Sequence, residues 1–391
     1  MKIELLRQQV REAAYHAVNV RRDLHRFPEA GNEEYRTAEI IEAELKELGL
    51  YAKRMLPTGI VSTIESGCPE KETGGIGLRA DIDGLPVEEG HKLPFSSLID
   101  GYMHACGHDV HTSIILGTAR VLIKNRDRLR RDVRLIFQPA EETVGGAEKM
   151  IAAGCMKNPI ISEIYGLHIM PELTSGQIGI RYGCVHAASD MFRILIKGRA
   201  SHGASPEMGV DALLTACQIV ESLQTVVSRS VAPTEPAVLS IGSFHSGSAG
   251  NVVAEEAVLE GIIRSMGPET ADLMKRRSGE IVSLISAAAG AEGAVKFTKG
   301  YSALINDNAS VRRLKEIASG LIGEDNCIII KNASMRAEDF SCFLEKAGGC
   351  YFFLGSGFPN RFNPPIHSGD LYVDEKCVET GILIMSGLCL L

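Results

Sequence analysis

Within eight residues, His104-Ala-Cys-Gly-His-Asp-Val-His111, the chain carries three imidazoles and a thiol. Cys and His are favoured donors for borderline-soft divalent metals, and Cys106 and His108, two apart in an extended or turning segment, can both reach one centre. Singly, a buried Cys is usually a small hydrophobe and a lone His a satisfied polar group; packing rarely needs both at this density. Downstream, an apolar run ends in Pro139-Ala-Glu-Glu142. Adjacent carboxylates on a non-helical turn point different ways, so one can bind a metal while the other faces water as general base. An acidic helix start is the ordinary reading, but the end of a strand in an α/β sheet is the usual ligand crevice. His168 in YGLHIM and His367 in NPPIHSGD bring the donors, with Cys106, His108 and Glu142, to five. Five donors exceed one tetrahedral zinc with an open position and suit two ions sharing a bridging thiolate. Asp81 and Asp83 alternate along Arg79-Ala-Asp-Ile-Asp and so share a strand face. From there one can orient a metal-binding imidazole or cap the following turn.

The elements that must position these groups follow from periodicity. Residues 4–26 and 32–49 repeat apolar positions at helical spacing (Leu5, Val10, Ala13, Ala14, Ala17; then Ala38, Ile41, Leu45, Leu48), with Phe27-Pro28 between them. Short apolar runs at 59–66, 75–83, 132–140 and 163–170 alternate with helical segments such as 111–129 and 145–154. That rhythm predicts an α/β fold, a mixed sheet flanked by helices. From about 187 it changes to strand, helix, strand, strand, helix, an α+β unit large enough to be a domain. After Tyr301 the mixed pattern resumes, with helix 308–321, strand 327–331, helix 337–347, strand 350–356 and a closing helix. The expected organisation is a discontinuous catalytic domain, 1–186 and 299–391, interrupted by an inserted domain, 187–298.

Composition narrows the function. The 391 residues carry 41 Lys and Arg against 49 Asp and Glu, with 45% hydrophobic and 23% charged residues, a globular profile rather than a disordered or fibrous one. A net charge of −8 without a basic run argues against nucleic acid or an anionic membrane as partner, leaving small solutes. The first residues lack a signal-peptide core, no apolar stretch is long enough to span a bilayer, and the ten scattered cysteines form no CxxC pair. The expectation is a cytoplasmic protein with free thiols.

Taken together, LHRFPE at 24–29, RADIDGLP at 79–86, HACGHDVH at 104–111, PAEE with GGA at 139–147, GLH at 166–168, GRASHGASP at 198–206 and AEDF at 337–340 resemble the two-metal amidohydrolases. That family includes hippurate hydrolases, auxin-conjugate hydrolases, N-acetyldiaminopimelate deacetylases, aminoacylases and carboxypeptidases. The resemblance runs in order along nearly the whole chain. It implies a catalytic domain with a dinuclear site and an inserted lid that also forms a homodimer. Cys106 would bridge the metals, with His108 and His168 on one, Glu142 and His367 on the other, and Glu141 as general base. Asp83 would keep the orienting carboxylate of the family's His-x-Asp motif, whose metal-binding His is replaced here by Asp81. His202 would polarise the scissile carbonyl, usually in the neighbouring subunit, and Asn251 and Arg264 would hold a substrate carboxylate.

The chain departs from the family pattern in lacking Pro within NVVAEE, in Arg336 where Gly is frequent, and in Ser368-Gly369-Asp370 after the last His. None removes a ligand. The expected activity is hydrolysis of the amide bond of an N-acyl amino acid or dipeptide-like substrate, using two divalent ions per chain, zinc or manganese ahead of cobalt or nickel. The alternatives are a thiol hydrolase using Cys106 as nucleophile, which leaves Glu142, His168 and His367 without a role, and a metal-free small-molecule-binding protein on the same fold.

Overall fold

Apolar residues three and four apart bury one face of the helix Ile3–Arg26, through Leu6, Val10, Ala13, Ala14, Ala17, Val20 and Leu24. Leu5, counted on that face from the sequence, is 42% exposed, and Leu6 takes its place. In this computed structural model, which describes residues 3–391, that helix packs with His108–Lys124 and Lys376–Leu390. Small residues permit their approach: a Cβ at Gly117 would lie 2.3 Å from Ile382 Cδ1, and one at Gly381 2.5 Å from Ile114 Cδ1. The closing helix is buried on nearly every side. Among the described residues no helix is long and apolar enough to cross a membrane, and none of the ten cysteines is in a disulfide.

The first unit ends at Gly183 and resumes at Ile305–Asn332 and Cys342–Leu391. Its eight-stranded sheet runs in the order Lys53–Arg54, Ile60–Ile64, Val133–Gln138, Gly75–Asp81, Ile161–Thr174, Gly348–Gly357, Ile178–Ile180, Cys327–Ile329. The four central strands are parallel. Val133–Gln138 and Gly75–Asp81 are buried along their whole length, as expected of strands covered on both faces. Pairing sets Asp81 opposite Gln138 and Arg79 opposite Gly166, so Asp81, the Pro139 turn and His168 emerge together at the carboxyl edge.

The second unit comprises Cys184–Leu304 and Ala333–Ser341. Its antiparallel sheet orders Ala237–Ser246, Glu256–Ser265, Ala188–Lys197 and Glu292–Lys299, with helices Ala212–Thr225 and Pro268–Ala288 packed on it. Alternate residues Phe192, Ile194 and Ile196 are buried with Ala257, Leu259 and Ile263. Gly261 makes room for the Phe192 ring, which a Cβ there would meet at 2.4 Å.

Three expectations change. The helix expected over 337–347 is a single turn, Ser341–Leu344; Phe340 N–H bonds back to Glu338 Oε1 at 3.0 Å, an alternative to the helical bond. The segment 333–341 groups with the second unit because Ala187 and Ser334 N–H bond to Ser334 and Val185 carbonyls at 3.0 and 2.9 Å. The edge strand Glu292–Lys299 was not anticipated: its partly buried positions are only Gly293, Val295 and Phe297, and the glycine, the alanine and three charged residues dilute the strand propensity of the run.

Candidate metal centre and active site

His108 opens a helix rather than sitting in an extended segment. Gly107, at φ 80°, turns the chain into it, and a side chain there would strike Ile169 Cδ1 at 2.4 Å. His108 Nδ1 lies 3.1 Å from Asp83 Oδ1, which aims Nε2 inward. That nitrogen has no hydrogen-bond partner; Asp81 Oδ2 is 3.7 Å and Glu142 Oε1 4.0 Å away. Burial alone would keep this imidazole neutral, but Asp81, Asp83 and Glu142 outweigh it and push its pKa up to about 10. A pocket that retains a proton so strongly favours a cation at that place.

The other donors converge on the same point. His168 Nδ1 donates to Ile169 O at 2.8 Å, leaving Nε2 to face Cys106 Sγ at 3.1 Å. Burial and neighbouring His111 hold His168 well below the usual imidazole range, so its lone pair is free. His367 Nε2 sits 3.3 Å from Cys106 Sγ and 2.9 Å from Glu142 Oε1. Its backbone is left-handed at φ 64°, rare for a side chain of this size, and is fixed by its N–H to Ala105 O at 2.7 Å. Glu142 is driven down to about 2, burial being overcome by His367 and His108. Asp83 ties two arms together, since its Oδ2 accepts the Glu142 N–H at 3.1 Å. Glu141, on the same turn, is buried and groups with His108 and Glu142.

Donor atoms fall into two triplets, Cys106–His108–His168 and Cys106–Glu142–His367, each within 4.8 Å and sharing the thiol. Bonds of about 2.0–2.3 Å to a tetrahedral ion place donors roughly 3.3–3.8 Å apart. The spacings within the triplets, 2.9–3.3 Å, reach only the lower end of that edge, so with a small outward shift of the donors these residues would hold two ions with the sulfur common to both. The Cys106 thiol is pushed well above its ordinary pKa by burial and by Glu142 and Glu141, the opposite of an activated nucleophile.

The His-rich segment divides three ways. His111 has Nε2 occupied by the Ile169 N–H at 3.0 Å and Nδ1 bound to Asp81 Oδ1 at 2.6 Å. It clamps the strand that carries His168, and Asp81 is in turn held by Arg79 at 2.6 Å. That positioning role was not read from the sequence. Asp109 turns away to Arg21 Nε at 2.7 Å and His25 Nδ1 at 2.8 Å, which gives LHRFPE a structural purpose. His104 is buried with both ring nitrogens lacking hydrogen-bond partners, and burial lowers its pKa to about 4.

On the second unit, His202 is exposed, its Nδ1 accepting the Ala204 N–H at 3.1 Å. It pairs with Val252, and Asn251 O accepts the Gly203 N–H at 2.7 Å, so His202 and Asn251 are neighbours. Arg264 lies apart from that pair, in strand Glu256–Ser265 opposite Ser189 and Val238, with Nη1 lacking a hydrogen-bond partner.

A family model described as Peptidase family M20/M25/M40 matches residues 77–390. The chain belongs to this family. It is 36% identical over 387 residues to Thermostable carboxypeptidase 1 of Saccharolobus solfataricus, covering 97% of this chain and 96% of the relative. It is 37% identical to N-acetyl-L-cysteine deacetylase of Bacillus subtilis over 92% of this chain and 84% of that protein. A solved Bacillus subtilis dinuclear metal-binding peptidase of family M20 superposes with a TM-score of 0.85 at 31% identity, over 97% and 98% of the two chains. The M20 chain described here is accordingly a hydrolase of amide bonds that works with two metal ions, and nothing in these relatives favours a thiol hydrolase or a metal-free binding protein.

Proposed function

We propose that Cys106 bridges the two ions, that His108 and His168 complete one and Glu142 and His367 the other, and that Glu141 is the general base for cleaving N-acyl amino acids. The observation carrying this reading is the pair of buried donor triplets with a common sulfur. When bound, zinc or manganese, or alternatively cobalt or nickel, supplies Lewis acidity that polarises the scissile carbonyl and lowers the pKa of the attacking water. Glu141 takes that water's proton and returns it to the leaving nitrogen, so that a carboxylic acid and an amine are released. Asp83 keeps His108 in the Nδ1–H tautomer. His202 donates to the developing oxyanion, and the substrate's free carboxylate is received by Asn251 beside it together with Arg264, which lies apart from Asn251 within one chain and so is contributed by the other subunit. Both named relatives act beside such a carboxylate, one on an N-acetylated amino acid and the other at a peptide's C-terminus. A cytoplasmic homodimer, with His202 lent to the neighbouring subunit, completes the proposal.

The test compares two variants in one assay. Glu141→Gln is expected to stay folded and bind two metals while turnover falls roughly a hundredfold or more. Cys106→Ala is expected to lose metal, measured by elemental analysis, together with turnover. Full metal occupancy in Cys106→Ala removes Cys106 from the site, and metal loss in Glu141→Gln means Glu141 is a ligand rather than the base.

A further inference from the structure

Glu34 is fully buried, yet it lies far from the catalytic turn in sequence and is in neither of the two donor triplets. One of its oxygens accepts the Ala140 N–H at 2.9 Å and the other the Thr58 hydroxyl at 2.7 Å. Ala140 has φ 58°, the left-handed conformation that costs a non-glycine residue energy and survives only where its surroundings hold it. Two residues on, Asp83 holds the Glu142 N–H. Glu141 therefore sits between two amides, each fixed by a buried carboxylate.

The loop preceding Glu34 reinforces this grip. A Cβ at Gly31 would lie 2.6 Å from Thr143 Oγ1 and 3.0 Å from Ala140 Cα, so the loop packs directly on the turn. Glu29 anchors it, accepting Arg36 and Thr37 N–H at 2.9 and 2.8 Å through its side chain and Gly84 N–H at 2.7 Å through its carbonyl. Burying a carboxylate against neutral donors is an expensive way to fill space. What these bonds provide is the shape of the Pro139–Glu142 turn.

We propose that Glu34 is a positioning residue for Glu141, holding the left-handed Ala140 peptide so that the general base faces the reacting water. This rests on the role given to Glu141 above. The experiment is a double-mutant cycle on the metal-loaded enzyme. Glu34→Leu, which removes both acceptors, is expected to lower kcat by about tenfold to a hundredfold, with KM and bound metal unchanged. Glu34→Gln is expected to restore most of kcat, because its amide oxygen can accept from Ala140 while its NH2 group donates to Thr58. In a Glu141→Gln background, Glu34→Leu is expected to cost nothing more. An equal loss in both backgrounds, or a loss explained by KM or by metal content, overturns the inference and makes Glu34 structural. If Glu34→Leu does not fold, Thr58→Val, which frees one carboxylate oxygen, must show a smaller kcat loss that disappears with Glu141→Gln; its absence overturns the inference equally. A fully active Glu141→Gln enzyme refutes the base assignment, and this inference with it, and is distinguished by that single variant alone.

Discussion

Asp83→Asn alters no donor in either triplet and is nevertheless expected to weaken metal binding by about tenfold to a hundredfold. Each Asp83 oxygen accepts one N–H, from His108 Nδ1 at 3.1 Å and from the Glu142 backbone at 3.1 Å. An asparagine can reproduce only one of these. If its NH2 group faces Glu142, two buried donors oppose each other, at about 1–3 kcal/mol. If the NH2 group faces His108, Nδ1 must accept, and the ring hydrogen moves to Nε2, the atom aimed into the cluster. A protonated Nε2 cannot ligate, so binding carries the cost of the unfavourable tautomer. Either way about 1.4 kcal/mol per decade converts the penalty to one or two decades of affinity. Chelator competition on wild-type and variant protein measures the shift, and denaturant unfolding of both metal-free proteins controls for folding. Activity is expected to recover partly at high metal concentration. Unchanged affinity in a folded Asp83→Asn protein would refute the tautomer argument.

Three other outcomes follow from the same geometry. Metal affinity should rise with pH, because Cys106 and His108 are both held protonated in the metal-free protein and each displaced proton contributes about tenfold per pH unit; equal affinities at pH 6 and 8 would contradict it. Asp109→Asn should reduce resistance to urea by about 1–3 kcal/mol, since it leaves buried Arg21 and His25 facing a neutral amide while Arg21 keeps Glu375 at 3.3 Å, whereas a change near zero would mean that Glu375 or solvent compensates Arg21 fully. Finally, mixing His202→Ala with Glu141→Ala after dissociation and reassociation should restore about a quarter of wild-type activity if the histidine serves the partner of a homodimer; background activity despite proven exchange means it serves its own chain or is structural.

Much of this was readable along the chain because the signals were local. The 24-residue N-terminal helix announces itself by spacing, and the buried parallel strands by short, mainly apolar runs ending in Asp81 and Pro139. The five donors lie together in two groups that share Cys106. What was not readable depends on partners distant in sequence. Glu34 serves a residue 106 positions away, and no property of Gly-Asn-Glu-Glu announces that contact. His111 becomes a clamp on Ile169 only because the Ile161–Thr174 strand passes above it.

The His-rich segment shows how much one helix boundary decides. With the helix expected to begin at 111, Cys106 and His108 lie on an extended or turning stretch from which both can reach one centre, and the sequence alone gives His104 and His111 no separate part. The helix begins at His108 instead. From there each residue turns about 100°, so His108 and His111, three apart, share a face while Asp109 is carried round to the opposite flank. The rings of His108 and His111 accordingly stand 5.5 Å apart, and Asp109 meets Arg21 and His25 in the helical layer. The left-handed Gly107 thus sets where the helix starts, and the first turn after it points His108 into the donor cluster and Asp109 toward Arg21 and His25.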